Sequence, residues 1–124
     1  MSKRILCAED DFDSREMLRV LLQSNGYEVV CANDAEQAYS LITTEHFDLL
    51  LLDNWMPGIT GVELVRVIRS AGKGTPILFY SGAAAAADKQ EALDAGAQGY
   101  LTKPIGITDL VNEIESLIPT RGPS

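Results

Sequence analysis

An α/β fold, a single sheet of five parallel strands with helices on both faces, is predicted by three features of this 124-residue chain. Five short apolar runs alternate with five segments of helical period, the third run is apolar on both faces, and capping residues mark the junctions. Regular alternation of this kind produces right-handed βαβ crossovers, which cover a parallel sheet on both sides as a (βα)5 three-layer sandwich.

The first run, Arg4 to Ala8, leads to Met17, Leu18, Leu21 and Leu22, spaced along one helix face. Asp13 with Glu16 puts a capping residue three positions ahead of a carboxylate, and Gly26 closes the helix where a left-handed residue carries no Cβ penalty. The second run, Tyr27 to Ala32, precedes the pair Asn33 and Glu36 and the stripe Ala35, Ala38, Leu41 and Ile42. In the third, Phe47 to Leu52, the tetrad Leu49-Leu50-Leu51-Leu52 has no polar face and belongs at the sheet's centre. Thr60 with Glu63 opens the helix of Leu64, Val65 and Ile68. The fourth run, Pro76 to Tyr80, is followed by Ala83 to Ala87, which reads equally as the opening of a helix or as a featureless mobile loop. Ala87, Glu91, Ala92 and Ala95 continue at helical spacing to Gly96. The fifth run, Ala97 to Leu101, precedes Leu110, Val111, Ile114, Leu117 and Ile118. Residues 1–118 thus read as one domain and 119–124 as a tail or the start of a linker.

Composition narrows the function. Ten basic against 18 acidic side chains give a formal charge of −8, which opposes direct binding to nucleic acid or anionic lipid. No run approaches the roughly 20 apolar residues that span a bilayer, so a cytoplasmic location with no membrane contact is expected. Cys7 and Cys31 lie in apolar runs without CxxC spacing and read as small buried residues of a reducing compartment rather than a disulfide or metal site.

In an open parallel sheet, ligands bind beyond the carboxyl ends of the strands, near the point where strand order reverses. Glu9, Asp10 and Asp11 follow the first strand, Asp53 the third, Ser81 and Gly82 the fourth, and Thr102, Lys103 and Pro104 the fifth. The second strand offers only cap residues, which suits an edge position and the order 2-1-3-4-5. Carboxylates gathered in one crevice repel unless a cation sits among them, and oxygen-only donors select a hard ion such as Mg²⁺. A phosphate sharing that ion gives Lys103 and Ser81 a role as donors. Taken alone, Glu9 reads as no more than a cap or a solvated loop charge.

These residues resemble the receiver domains of bacterial two-component response regulators, including the single-domain chemotaxis regulator. The resemblance rests on Ile5-Leu6-Cys7-Ala8-Glu9-Asp10-Asp11, on Leu50-Leu51-Leu52-Asp53-Asn54-Trp55-Met56-Pro57-Gly58 with Gly61, on Tyr80-Ser81-Gly82-Ala83, and on Gly99-Tyr100-Leu101-Thr102-Lys103-Pro104 after Gly96-Ala97. It implies a flavodoxin-like fold and a phosphorylation-activated signalling switch rather than an enzyme. By the same resemblance Asp53 is the phosphoacceptor, and Asp10, Asp11, Asp53 and the Trp55 carbonyl hold Mg²⁺, with Mn²⁺ as an alternative ion. Lys103 pairs with the acceptor or the arriving phosphoryl group, Ser81 bonds the phosphoryl group, and Tyr100 is the aromatic switch. Pro57, Gly58, Gly61 and Pro104 shape the loops; the family's proline at the Pro104 position is cis, whereas an X-Pro bond is trans by default. The implied partners are a sensor histidine kinase or a histidine phosphotransfer protein, and a downstream target or output domain reached through the fourth helix, fifth strand and fifth helix. A homodimer through that face is an alternative assembly.

Two positions depart from the family's commoner pattern. Trp55 and Ala83 flank the expected phosphoryl position, and neither side chain can orient a hydrolytic water, so slow self-dephosphorylation is expected. Ser81 stands where threonine is commoner, keeping the hydroxyl but losing a methyl group. His46 precedes the third strand at its amino end, away from the crevice, and reads as a surface loop residue. Two rival classes fit less well. A haloacid-dehalogenase-type phosphatase places its nucleophile after the first strand with a second Asp two residues on, whereas Asp10 is followed by Asp11 and Phe12. A flavin module would meet acids where its phosphate must bind.

Overall fold

The computed structural model describes residues 3–54, 56, 58–82 and 85–118. Five strands, β1 (Arg4–Ala8), β2 (Glu28–Ala32), β3 (Leu49–Leu52), β4 (Ile77–Ser81) and β5 (Gly99–Thr102), alternate with five helices. These are α1 (Phe12–Ser24), α2 (Ala35–Thr44), α3 (Gly61–Ser70), α4 (Ala86–Ala95) and α5 (Ile107–Leu117). The sheet is parallel throughout, in the order β2-β1-β3-β4-β5.

Alternation along the strands divides the core in two. Leu6, Ala8, Leu50, Leu52, Ile77 and Phe79 face α2, α3 and Ala92 of α4. Ile5, Cys7, Leu49, Leu51, Leu78 and Tyr80 face Leu18 and Leu22 of α1 and Leu110, Val111 and Ile114 of α5. Each wholly buried leucine of β3 contributes about 1.5–3 kcal/mol relative to exposure.

Three junctions differ from the sequence-based expectation. Helix α1 begins at Phe12, so its cap is Asp11, whose carboxylate accepts the Ser14 N–H at 2.8 Å, and Asp13 falls inside the first turn. Helix α2 is capped by Asp34, accepting from the Gln37 N–H at 2.7 Å, rather than by Asn33, whose own N–H donates to the Gln37 side chain at 2.8 Å. In the Ala83–Ala87 run, Ala85 is the cap residue and Ala86 the first residue of α4, while Ala83 and Ala84 lie outside the described residues. Thr60 and Glu63 form the expected capping box, and Gly26 and Gly96 take the expected positive φ. His46 is exposed at the amino end of β3, as expected. The segment 119–124 lies outside the described residues.

Candidate functional site

The ladder continues past the strand ends. The Asp53 N–H donates to the Ala8 carbonyl at 3.1 Å, the Glu9 N–H to Ala32 at 3.0 Å and the Lys103 N–H to Ser81 at 2.8 Å. Backbone pairing therefore aims three ionisable side chains at one crevice before any contact between them forms.

Asp53 is 8 % exposed and holds a partner on each oxygen: Oδ1 accepts from Ser81 Oγ at 3.0 Å and Oδ2 from Lys103 Nζ at 3.0 Å. Ser81 follows the alternation of Phe79 on the α3 and α4 side, and Lys103 that of Leu101 on the opposite side, so the carboxylate is gripped from both layers. Lys103 Nζ also donates to Glu9 Oε2 at 2.6 Å and lies 5.4 Å from the centroid of the Tyr80 ring. The Tyr80 hydroxyl accepts from the Ile105 N–H at 3.3 Å, just beyond the Lys103-Pro104 bond, which is cis.

Glu9 is 3 % exposed, so it is neither a cap nor a solvated charge. Burial is the main cause that raises its pKa; the Lys103 hydrogen bond opposes the rise, and nearby Asp53 adds to it. Burial also works against the charge on Lys103, but hydrogen bonds from Glu9 and then Asp53 raise its pKa on balance. One ammonium thus serves two buried carboxyl groups, with the exposed Asp10 beside them.

Carboxylate oxygens of Glu9, Asp10 and Asp53 lie within 4.8 Å of one another. Three hard oxygen donors at that spacing fit a divalent cation such as Mg²⁺. The group is one residue out of step with the expected Asp10, Asp11 and Asp53. Asp11 points instead into the first turn of α1, where the Ser14 backbone N–H holds its carboxyl below the usual range. Trp55, Ala83 and Pro57, expected to offer a carbonyl ligand, tune hydrolysis and shape the loop, lie outside the described residues.

Two glycines in the segment after Asp53 occupy positions that restrict a side chain. Gly58 has φ +92°, and a Cβ on Gly61 would stand 2.7 Å from Phe79 Cε2 and 2.9 Å from the Asp53 carbonyl. Tyr100 is half-buried and stacks on Phe79, centroids 5.4 Å apart and planes 10° apart. Burial raises its pKa, hydrogen bonding with Ser81 lowers it, and Asp88 of α4 and Asp53 raise it. The phenol thus feels charge from both the crevice and α4.

Sequence reasoning undervalued Glu9 and passed over two supporting groups, Tyr80 and Arg15. Arg15 Nη1 donates to the Glu9 carbonyl at 3.0 Å and pins the acidic loop from α1. An aromatic ending an apolar strand was the available signal for Tyr80; nothing local marks Arg15.

Comparison with known proteins identifies the family and the fold. The family model of the response regulator receiver domain matches residues 5–115. Response regulator MprA of Mycobacterium bovis is 39% identical over 118 residues, covering 95% of this chain and 51% of its own length. The chain therefore spans about half the length of such curated relatives. Among solved structures, chemotaxis protein CheY4 of Vibrio cholerae superposes with a TM-score of 0.89 at 32% identity, covering 94% of this chain and 99% of that one. A CheY-like receiver domain protein of Methanospirillum hungatei gives 0.88 at 31% identity, covering 94% and 93%.

Proposed function

From the premise that the chain belongs to the response regulator receiver domain family, we propose that it accepts a phosphoryl group on Asp53 and signals through the surface of α4, β5 and α5. The observation that carries this reading is Asp53 itself, a buried carboxylate held between the Ser81 hydroxyl and the Lys103 ammonium with two further acids alongside. The donor is a phosphohistidine of a sensor histidine kinase or a histidine phosphotransfer protein. An Asp53 oxygen attacks phosphorus, the P–N bond breaks, and the departing imidazole takes up a proton. Positioning and charge stabilisation supply nearly all the catalysis in such a transfer. Lys103 faces the developing negative charge, and Ser81 donates to the transferred group. Glu9, Asp10 and Asp53 would hold Mg²⁺, or Mn²⁺, which supplies positive charge to the phosphoryl oxygens when bound.

The new dianion draws the Ser81 hydroxyl from its present bond, and Tyr100, in contact with both Ser81 and Phe79, passes the change to the α4 side. The target is a downstream protein or an output domain, with pairing of two copies through that face as an alternative. The protein is a signalling switch whose only chemistry is on itself. A cytoplasmic location fits this role, and no helix among the described residues is long and apolar enough to cross a membrane. We assign residues 1–118 to the receiver unit and 119–124 to a tail or linker.

Incubation with acetyl phosphate, with and without Mg²⁺, followed by intact mass, tests the reading. Wild type should gain about 80 Da, one phosphoryl group, only with Mg²⁺, and Asp53→Asn should gain nothing. No adduct on folded wild type would point to an interaction module that works without phosphorylation, whereas phosphate-ester turnover by Asp53→Asn would point to a hydrolase. Introducing Trp55→Asn with Ala83→Glu should shorten the adduct's lifetime about tenfold or more, by providing groups that orient water. An unchanged lifetime would remove these positions from the account of hydrolysis.

A further inference from the structure

Cys7 and Cys31 stand outside the site just described. Cys7 is in the middle of β1 and 1 % exposed, Cys31 is on the edge strand β2 and half-buried, and the two are register partners in the parallel ladder. Partners in register point to the same side of a sheet, here the side covered by α1. Adjacent strands lie about 4.8 Å apart, within the Cα separation of about 4.4–6.8 Å that a disulfide bridges. The neighbouring Cys7 side chain is the largest influence on Cys31 and lowers its pKa. Burial opposes the lowering at Cys31, as does Glu16, while Arg19 and Arg15 of α1 reinforce it. The site thus has a half-buried thiol on the edge strand and a fully buried thiol beside it on the neighbouring strand.

From this juxtaposition we propose that Cys7 and Cys31 are a redox pair, in which a hydroperoxide oxidises Cys31 and Cys7 resolves the product into a disulfide joining β1 to β2. In the first step the Cys31 thiolate attacks one peroxide oxygen and the O–O bond breaks. Cys31 becomes a sulfenic acid, and the other oxygen leaves as an alcohol, or as water from hydrogen peroxide, after taking a proton. In the second step the Cys7 sulfur attacks the Cys31 sulfur, the S–S bond forms, and the hydroxide that leaves takes the Cys7 proton as water. The two sulfurs together lose the two electrons that the peroxide gains. The roles do not reverse, because Cys7 has almost no contact with solvent.

The test treats the reduced full chain with hydrogen peroxide, unfolds it, counts free thiols by alkylation, which ignores oxidised methionine, and locates any link by peptide mass. Both of the chain's two thiols should disappear, the Cys7 and Cys31 peptides should appear joined within one molecule, and dithiothreitol should restore both. Cys7→Ala keeps a small apolar residue in the core, and there Cys31 should be trapped by dimedone as a sulfenic acid. Cys31→Ser should leave Cys7 unreacted. Oxidised Cys31 in wild type with Cys7 still free to alkylate, a link formed only between two molecules, or loss of the Cys7 thiol in Cys31→Ser would each overturn the pair.

Discussion

Strand β1 carries charge at both ends, and the two ends are arranged in opposite ways. At its start, one cation is surrounded by acceptors. The Arg4 guanidinium is paired with Glu28, donates to Glu45 at 2.7 Å and to the His46 carbonyl at 2.6 Å, and lies 4.7 Å from the centroid of the Phe47 ring. Its own N–H donates to Asp48 at 2.7 Å. At its far end, one cation, Lys103, faces the carboxyl groups of Glu9 and Asp53, with Asp10 beside them. The first end ties β1 to β2 and to the segment entering β3 at the surface, where water screens its charges. The second end is buried and holds an excess of negative charge, which favours a cation or a group that brings one. The first end joins strands, and the second is where the proposed chemistry takes place.

The largest expected effect is at the acidic end. Lys103→Ala removes the ammonium from two buried carboxyl groups, and phosphoryl uptake from acetyl phosphate should fall about a hundredfold or more. Stability without metal should fall by about 1–3 kcal/mol, the cost of leaving buried partners unsatisfied. Retained uptake would make Asp53 and the metal sufficient and Lys103 a structural lysine.

Next comes Glu9→Gln, which separates the two roles within that end. Mg²⁺ affinity should fall about tenfold or more, measured by quenching of Trp55 fluorescence or by calorimetry. Metal-free stability at neutral pH should not fall, because the pKa of Glu9 is raised in the folded state. A raised carboxyl contributes stability that is fully present below its unfolded value and is lost as pH rises through the folded one. Wild type should therefore gain on Glu9→Gln as pH drops from neutral into the carboxylate range. Asp11, with its pKa lowered by the Ser14 N–H, has the opposite sign: its contribution is lost as pH falls. Denaturation of wild type, Glu9→Gln and Asp11→Asn across that range would show the opposite slopes; equal slopes would refute the assigned environments.

The smallest effect belongs to the surface end. Arg4→Met keeps the side-chain bulk and releases three acceptors at the surface, so the thermal midpoint should drop by a few degrees. Uptake on Asp53 should stay within about twofold of wild type, as expected for separated sites. A large loss of uptake would show that the two ends are not independent.

Much of the fold was legible because its signals are local. The uninterrupted Leu49–Leu52 run predicted a central strand, and strand β3 does pair on both sides. Asp53, Ser81 and Lys103 could be assembled from sequence because each follows an apolar run, and strand ends in a parallel sheet converge. The acidic loop was less legible. Glu9, Asp10 and Asp11 are consecutive, and which of them face the crevice depends on where α1 begins, which the pairing of Asp13 with Glu16 places two residues later than the Asp11 cap. The Arg4 cluster and the Cys7–Cys31 pairing were not legible, since both depend on the register between strands. A sequence pattern reports which face a residue occupies, but not which residue stands opposite.

On the α3 and α4 side, anchorage is unevenly shared. Helix α3 has a capping box and buries Leu64, Val65 and Ile68, whereas α4 has no side-chain cap and buries only Ala92. What holds α4 is at its far end: Arg69 of α3 donates from Nε and Nη2 to the Gly96 carbonyl at 3.1 and 2.9 Å, and to Gln98 at 2.9 Å. Helix α4 is thus tied at its carboxyl end and buried along its length only at Ala92, so a load at its amino end meets fewer restraints than the same load on α3. On the proposed reading, the phosphoryl group therefore arrives beside the less firmly anchored of the two helices, whose ten residues form one face of the signalling surface.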